Sequence, residues 1–434
     1  MRALAHFFPG HIPMKKYFAL LFLLNTSTGN ALDISGVTNS IDHQRPLLKA
    51  QAQTITHAQH LERKASAAYL PQLSTSHVSS FSQEHSTIDK STHTLSLTGK
   101  QLIFSPNGPQ LQRKIAATAT QQAQHAFTAT SNQAHHDGVH AFLDAWLLQE
   151  KKDVIDLLSH YSDHLNAQVN AQHVSGGMST PDALAQHATI TQNQATITAY
   201  YHEQSAARAQ LRRAMGSHHY SDSTPLHFTP QSSTNLLPLS EYIAMAYAYR
   251  PELKQKTAAL EQHRLNARSH RLSYLPSVHL HGSVGRTFSG TGPDRGTDAN
   301  VGISASWQFF DGMQQRYAAQ ASDANLLRTQ FEHQELRNKI TQEVTTTYHT
   351  MHASLAAIRA AHAQSRAQQQ LAQRERTAHH LGMLNNIDHA KQAYTAARAR
   401  HELLAQQVAL RKHQETLFLY CGCPPHFFSA KESA

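Results

Sequence analysis

Two cysteines in 434 residues, Cys421 and Cys423, exclude a disulfide framework and a four-cysteine zinc site. Charge is also scarce. Asp, Glu, Lys and Arg make up 15% of the chain, against about 25% in an average soluble protein. The 38 basic and 29 acidic residues leave a net charge of +9, without the clustered Lys and Arg of a typical nucleic-acid binder. Beyond residue 31 no apolar run approaches the roughly 18 residues of a membrane helix, so a polytopic helical membrane protein is excluded. Nucleotide-binding loops, metalloprotease motifs and nucleophile elbows are missing, so neither enzyme activity nor a cofactor is expected. The polar share comes instead from Gln, Ser, Thr and 34 His.

The start of the chain reads as an address. Lys15 and Lys16 precede an unbroken apolar run, Tyr17 to Leu24, and a stretch of small residues ends at Gly29-Asn30-Ala31. This is the order of a secretory signal peptide, with Met14 as its natural start. The alternative is a buried N-terminal strand or helix. On the first reading residues 1–31 are an N-terminal extension and signal, and the mature protein leaves the cytoplasm.

Glycine and proline interrupt helices, so their gaps mark structure. Neither occurs between Pro46 and Pro71, nor between Pro251 and Pro276, nor from Gly312 to Gly382. Tyr69-Leu70-Pro71 returns as Tyr274-Leu275-Pro276. Phe104, with Gly108 near it, is answered by Phe310-Asp311-Gly312. Gly176 and Asp182 are answered by Gly382 and Asp388, and Met215-Gly216 by Cys421-Gly422. A nearly constant offset over this length indicates one unit used twice. The expected organisation is a first repeat at 32–216, a linker at 217–250, a second repeat at 251–422 and a tail at 423–434.

Within each unit two periods alternate. Val278, Leu280, Val284 and Phe288 alternate with His279, His281, Ser283 and Thr287. Val301, Ile303, Ala305, Trp307 and Phe309 alternate with Asn300, Gly302, Ser304, Ser306 and Gln308. Period two means strands with one apolar and one polar face, here a β-hairpin at about 276–310. A fainter hairpin at about 71–104 uses Leu73, Phe81, Leu95, Leu97 and Ile103, with Val78 against the pattern. The remainder is helical. Ile340, Val344, Tyr348, Met351, Leu355 and Ile358 form a narrow stripe, as do Leu143, Leu147, Val154, Leu158, Tyr161 and Leu165. Alanines 353, 356, 357, 360 and 361 would allow close helix approach. A continuous helix from Gly312 to Gly382 would reach roughly 100 Å. Each unit is thus expected to be a short helix, a β-hairpin, a very long helix, a tight turn and a returning helix.

If the apolar strand faces meet lipid, the outward residues are Val278, Leu280, Val284, Val301, Ile303 and Trp307. Four strands cannot close a barrel, and an open edge in lipid leaves backbone groups unpaired. Two chains would give about eight strands with a filled interior; three would give twelve and leave a lumen. The alternative is a soluble hairpin packed on helices.

This order of parts resembles the TolC-like outer membrane efflux proteins. The resemblance is carried by the two Tyr-Leu-Pro segments, by Trp307-Gln308-Phe309-Phe310-Asp311-Gly312, and by Gly382-Met383-Leu384-Asn385-Asn386-Ile387-Asp388 followed by Ala390, over about residues 40–422. It implies a mainly α fold with transmembrane β structure: a homotrimer with a twelve-stranded β-barrel in the outer membrane of a Gram-negative bacterium and an α-helical tunnel across the periplasm. It further implies a periplasmic adaptor (membrane fusion) protein and an inner-membrane efflux pump or ABC transporter as partners, outer membrane lipid around the barrel, and no nucleic acid. Passive conduction, in efflux or type I secretion, would be the function. The resemblance also implies a closed periplasmic tip with acidic residues after the turn. Asp388 matches the first acidic position, while Lys391 stands where a second acid is expected and would weaken an acidic ring.

Other features allow several readings. Cys421-Gly422-Cys423 could form a strained disulfide, bind a soft metal with His413 or His426, or carry spare thiols. The scattered His fit solvated helix faces, a metal role or a pH sensor; His379-His380 beside the Gly382 turn is the pair to test for pH-dependent gating. A periplasmic coiled-coil scaffold without a channel and a polyanion-binding helical protein are the competing classes.

Overall fold

The computed structural model describes residues 31–422 apart from 85–86, 217–220, 222, 231–235 and 290–295. The signal-peptide segment, Cys423 and His426 lie outside the described residues.

The duplication is explicit in the order of elements. The first half runs α1 (Ile34–Gln44), α2 (Pro46–Ala67), β1 (Gln72–Glu84), β2 (Thr87–Phe104), α3 (Pro109–Glu150), α4 (Lys152–Val174) and α5 (Thr180–Met215). The second runs α6 (Leu239–Tyr249), α7 (Pro251–Leu272), β3 (Ser277–Ser289), β4 (Gly296–Ser306), α8 (Gln314–His380) and α9 (Asn386–Cys421). Two details differ from the sequence reading. Each unit opens with two helices rather than one, bent apart at Arg45 and Arg250, where extended backbone leads into a proline in the first turn of the next helix. Residues 239–249, read as linker, are helix α6, the counterpart of α1.

The long helices follow the predicted stripes. α8 has 67 residues, roughly 100 Å of continuous helix. Its counterpart is α3 and α4 set end to end, parted at Lys151, whose amide still donates to the Leu147 carbonyl at 3.1 Å. Ile340, Val344, Met351 and Ile358 of α8 are buried, and so are Leu143, Val154, Leu158 and Leu165. Ala353, Ala356 and Ala360, expected to bring helices together, instead lie on the exposed side of α8. Ser322, Ser354 and Ser365 are the small residues buried on this helix.

Two larger apolar clusters form the core partway along the helices, and a smaller third joins Leu165, Val169, Ala183 and Ile190 of α4 and α5. Of the larger two, one joins Val37, Ile41, Phe142, Leu143, Trp146, Leu211 and Met215. The other joins Tyr242, Ala246, Leu253, Ile340, Val344, Met351, Leu417 and Cys421. The buried Cys421 thiol donates to the Tyr242 carbonyl at 3.6 Å and packs as part of that core. No group of three or more potential metal ligands occurs among the described residues. No described helix is long and apolar enough to cross a membrane.

Beside the first cluster, α3 meets α9 through polar groups. His140 donates Nε2–H to the Lys412 carbonyl at 3.2 Å, its ring lies 4.0 Å from that of His136, and Lys412 pairs with Asp144. Burial first, then the charges of His136 and Lys412, lower the His140 pKa from 6.5 to about 4. A histidine held neutral in the fold binds its proton more readily once unfolded. Its contribution is therefore complete above about pH 6.5 and is lost as pH falls from there towards 4. With the ring's partial exposure screening part of the shift, the loss by pH 5 should be on the order of 1 kcal/mol per chain. Chemical unfolding at pH 7 and pH 5 should show this, and His140→Asn should flatten that part of the pH dependence.

Candidate functional site

All four strands join in one antiparallel sheet in the order β1-β2-β3-β4, so the two hairpins pair through β2 and β3. Direct partners share a face. Leu97 stands opposite Val284, which stands opposite Ala299; Leu280 stands opposite Ile303, and Gly282 opposite Val301. Leu73, Phe81, Leu95 and Val278 join the same face by the period of two. The reverse face is polar. Ser76 and Ser96 hydrogen-bond at 2.8 Å and Thr94 and Thr287 at 3.1 Å, and Lys100 stands opposite His281. Val78 lies on this polar face, the exception its sequence position indicated.

Neither face is covered by the chain's own helices. Val301 is 84% exposed and Ile303 69%. β1 and β4 each pair on one side only, so the sheet has two open edges. Thirteen residues in β1 and β3 give each strand more than the nine to eleven that cross a bilayer core. Trp307, expected at the end of the fourth strand, falls just past it: β4 ends at Ser306. Its indole N–H donates to the Tyr274 carbonyl at 2.9 Å, which ties the strand exit to the strand entry. With Phe309, Phe310, Tyr69 and Tyr274 it sets exposed aromatic rings where sheet meets helices.

At the far ends of the helices lie two turns of the same design. Gly176 and Gly382 both have positive φ, 71° and 72°. Each turn then supplies a cap: Ser179 Oγ accepts from the Asp182 amide at 3.3 Å, and Asn385 Oδ1 accepts from the Asp388 amide at 2.7 Å. Asp182 and Asp388 are the acids in the first turns of α5 and α9, where a carboxylate favours the helix dipole. Asp388 and Lys391 are both exposed.

The histidine pair at this turn has a different partner from the one its sequence suggests. His379 Nε2 bonds Asn386 Oδ1 at 2.7 Å, and its ring stacks on that of His389 at 4.5 Å, closer than the 6.2 Å to His380. Burial, then the charge of His379, Arg376 and His380, lowers the His389 pKa. His389 was not singled out by sequence reasoning. The available signal was position: residues 379 and 389 flank the 381–385 turn, and the antiparallel helices on either side of it bring them together.

Comparisons with known proteins agree with this architecture. Residues 242–422 match the family profile "outer membrane efflux protein". The outer membrane efflux protein BepC of Brucella suis is 24% identical over 307 residues, 68% of this chain and 64% of BepC, so the match spans somewhat under two-thirds of that relative. The fold matches the outer membrane channel CmeC of Campylobacter jejuni with a TM-score of 0.76 at 10% identity, over 90% of this chain and 85% of CmeC. It matches the MtrE outer membrane channel of Neisseria gonorrhoeae with a TM-score of 0.72 at 14% identity, over 90% and 89%. The resemblance drawn from the sequence therefore holds: residues 242–422 match the outer membrane efflux protein family, and over nine-tenths of its length the chain has the fold of solved outer membrane channels.

Proposed function

We propose that this chain is one protomer of a trimeric outer membrane channel-tunnel, which passively conducts what an inner-membrane pump and a periplasmic adaptor deliver. One observation carries the reading: a four-stranded sheet with two open edges and an exposed apolar face, joined to helices roughly 100 Å long. An unpaired edge costs several kcal/mol per buried backbone group in lipid, so β4 of one chain would pair with β1 of the next. Three sheets close into twelve strands around a lumen lined by the serine- and threonine-rich face. The helices would extend the lumen through the periplasm, and their tips would meet the adaptor. The protein would catalyse no reaction. Boiling should convert a large species on a denaturing gel into a monomer, and planar bilayers should register discrete conductance steps. A carbonate-extractable monomer would exclude the proposal.

The tip at Gly382 is the proposed gate, supported by its place at the far end of α8 and by an exposed Asp388 in each chain. Three carboxylates converging on an axis would hold cations there, and Lys391 one turn away would weaken that field. Removing the charge with Asp388→Ala should relieve block of single channels by divalent cations, while Lys391→Ala should deepen it. Unchanged block in both variants would move the gate elsewhere.

A further inference from the structure

We propose that the cavity where β2 turns into α3 binds the phosphate of an anionic phospholipid from the periplasmic leaflet, through Lys114 and Arg268. The proposal rests on the outer-membrane reading above and adds a ligand to it. The cavity has a volume of about 320 Å³, within the range of small-ligand sites. It lies under the last residues of β2, Leu102 to Phe104, and reaches the start of α3 and the end of α7. Among the described residues its lining holds two cations, Lys114 and Arg268, and no carboxylate. The larger hollow beside α7 and α8 is different. Glu252, Glu332 and Glu335 stand there with Lys256 and Lys339, and Lys256 is already paired with Glu332.

Two neighbours place the cavity on the apolar side of the sheet. Phe104 stands opposite Val278, a residue of the apolar face. The Tyr69 carbonyl accepts from Gln101 Nε2 at 3.3 Å, and Gln101 stands opposite Leu280 on that same face. In a closed barrel the cavity would therefore open outward to lipid and not into the lumen. Helix geometry sets its height. Lys114 lies five residues after Pro109 and Arg268 four before Leu272, which puts both about 6–8 Å below the junction of sheet and helices. The exposed rings of Tyr69, Tyr274 and Trp307 mark that junction as the membrane rim. A hydrocarbon core of about 30 Å in a bilayer of about 40–45 Å leaves a headgroup layer roughly 5–7 Å deep on each side. Both cations stand at headgroup depth.

The walls suit an amphiphile. Leu102, Phe104, Leu111 and Leu272 line the cavity beside the two cations. Ile103 and Phe104 are each 55% exposed, so apolar surface continues from the cavity up towards the strands. A free phosphate would use only the charges. A lipid would use both kinds of surface. Its phosphodiester oxygens accept from the forked Arg268 guanidinium and from the Lys114 ammonium, while its glycerol and first methylenes cover Ile103 and Phe104. Lys114 belongs to α3 and Arg268 to α7, so the bound phosphate would bridge the two repeats just below the sheet.

The test titrates the full-length oligomer in detergent with phosphatidylglycerol or phosphatidylcholine, and counts bound lipid by native mass spectrometry. Phosphatidylglycerol should fill one saturable site per chain. The double variant Lys114→Gln, Arg268→Gln should raise its half-saturating concentration on the order of tenfold or more, through the loss of charge-assisted hydrogen bonds. Lys114→Arg, which keeps the charge, should bind like wild type. So should Arg264→Gln, one turn along α7, whose guanidinium pairs with Glu261 at 3.3 Å. Equal binding of phosphatidylcholine would overturn the proposal, as would an undiminished affinity in the double variant or an equal loss in Arg264→Gln. Competition by inorganic phosphate at the lipid's own concentration would also overturn it, by showing a site for free anions. Failure of the wild-type chain to insert into phosphatidylcholine vesicles would instead overturn the outer-membrane reading itself.

Discussion

Replacing Gly422 with alanine should cost more than about 3 kcal/mol and abolish the heat-resistant oligomer, whereas the same change at Gly382 should cost about 1 kcal/mol and leave the oligomer intact. Both glycines have left-handed backbone, with φ of 69° and 72°, so the conformational penalty for an L side chain is common to both. What separates them is space. A Cβ at Gly382 meets nothing within 4 Å. A Cβ at Gly422 would lie 2.5 Å from the Arg250 Cα and 2.6 Å from its backbone nitrogen. Backbone cannot rotate away as a side chain can, so α9 would have to separate from the α6–α7 bend. That bend is held by buried Arg250, which pairs with Glu343 at 2.6 Å and Glu252 at 3.2 Å. Gly216 repeats the arrangement against Arg45 at 2.7 Å, and Gly216→Ala should resemble Gly422→Ala. Urea unfolding of the three variants measures the contrast. Equal losses at Gly382 and Gly422 would mean that the close approach of α9 to the bend is wrong.

The same glycines made the duplication legible before any coordinates. Turns that require positive φ and helices that exclude proline leave spaced marks in a sequence, and the marks recur at Gly176 and Gly382 and at Gly216 and Gly422. The helical stripe of Ile340, Val344, Met351 and Ile358 was equally plain, because one face of a long helix is buried all along its length. Shorter features were not readable. Helix α6 has 11 residues, too few for a period to stand out, and it follows a proline-punctuated segment that reads as linker. The break at Lys151 has no glycine or proline to announce it. In β1 the apolar face carries Thr75, His77 and Ser79 between its two large apolar residues, so Leu73 and Phe81 alone carried the apolar signal. His140 and His389 were lost among 34 histidines because their neighbours, Lys412 on α9 and His379 across a turn, are set by tertiary packing. A lysine at residue 391 is visible in the sequence, but whether three of them converge depends on assembly.

Assembly is where Val301 becomes decisive. In the single chain its side chain is exposed, and its neighbour Asn300 points to the opposite face of β4. For a water-soluble protein, lysine at either position would change stability by no more than about 0.5 kcal/mol, since a surface charge in water disturbs little. In a closed barrel the two positions part company. Residue 300 meets the aqueous lumen, where Asn300→Lys adds only a solvated charge. Residue 301 meets hydrocarbon near the centre of the strand, where a lysine ammonium costs about 2–4 kcal/mol. In the proposed trimer three chains would bear that cost together, so folded oligomer in the outer-membrane fraction should fall sharply for Val301→Lys and stay near wild type for Asn300→Lys. Ile303→Lys should behave like Val301→Lys, and Ser304→Lys like Asn300→Lys, because the outcome follows the strand's period of two rather than the exposure of any one residue. An equal response at residues 300 and 301 would remove lipid from the apolar face, and with it the reason for three chains to join their sheets.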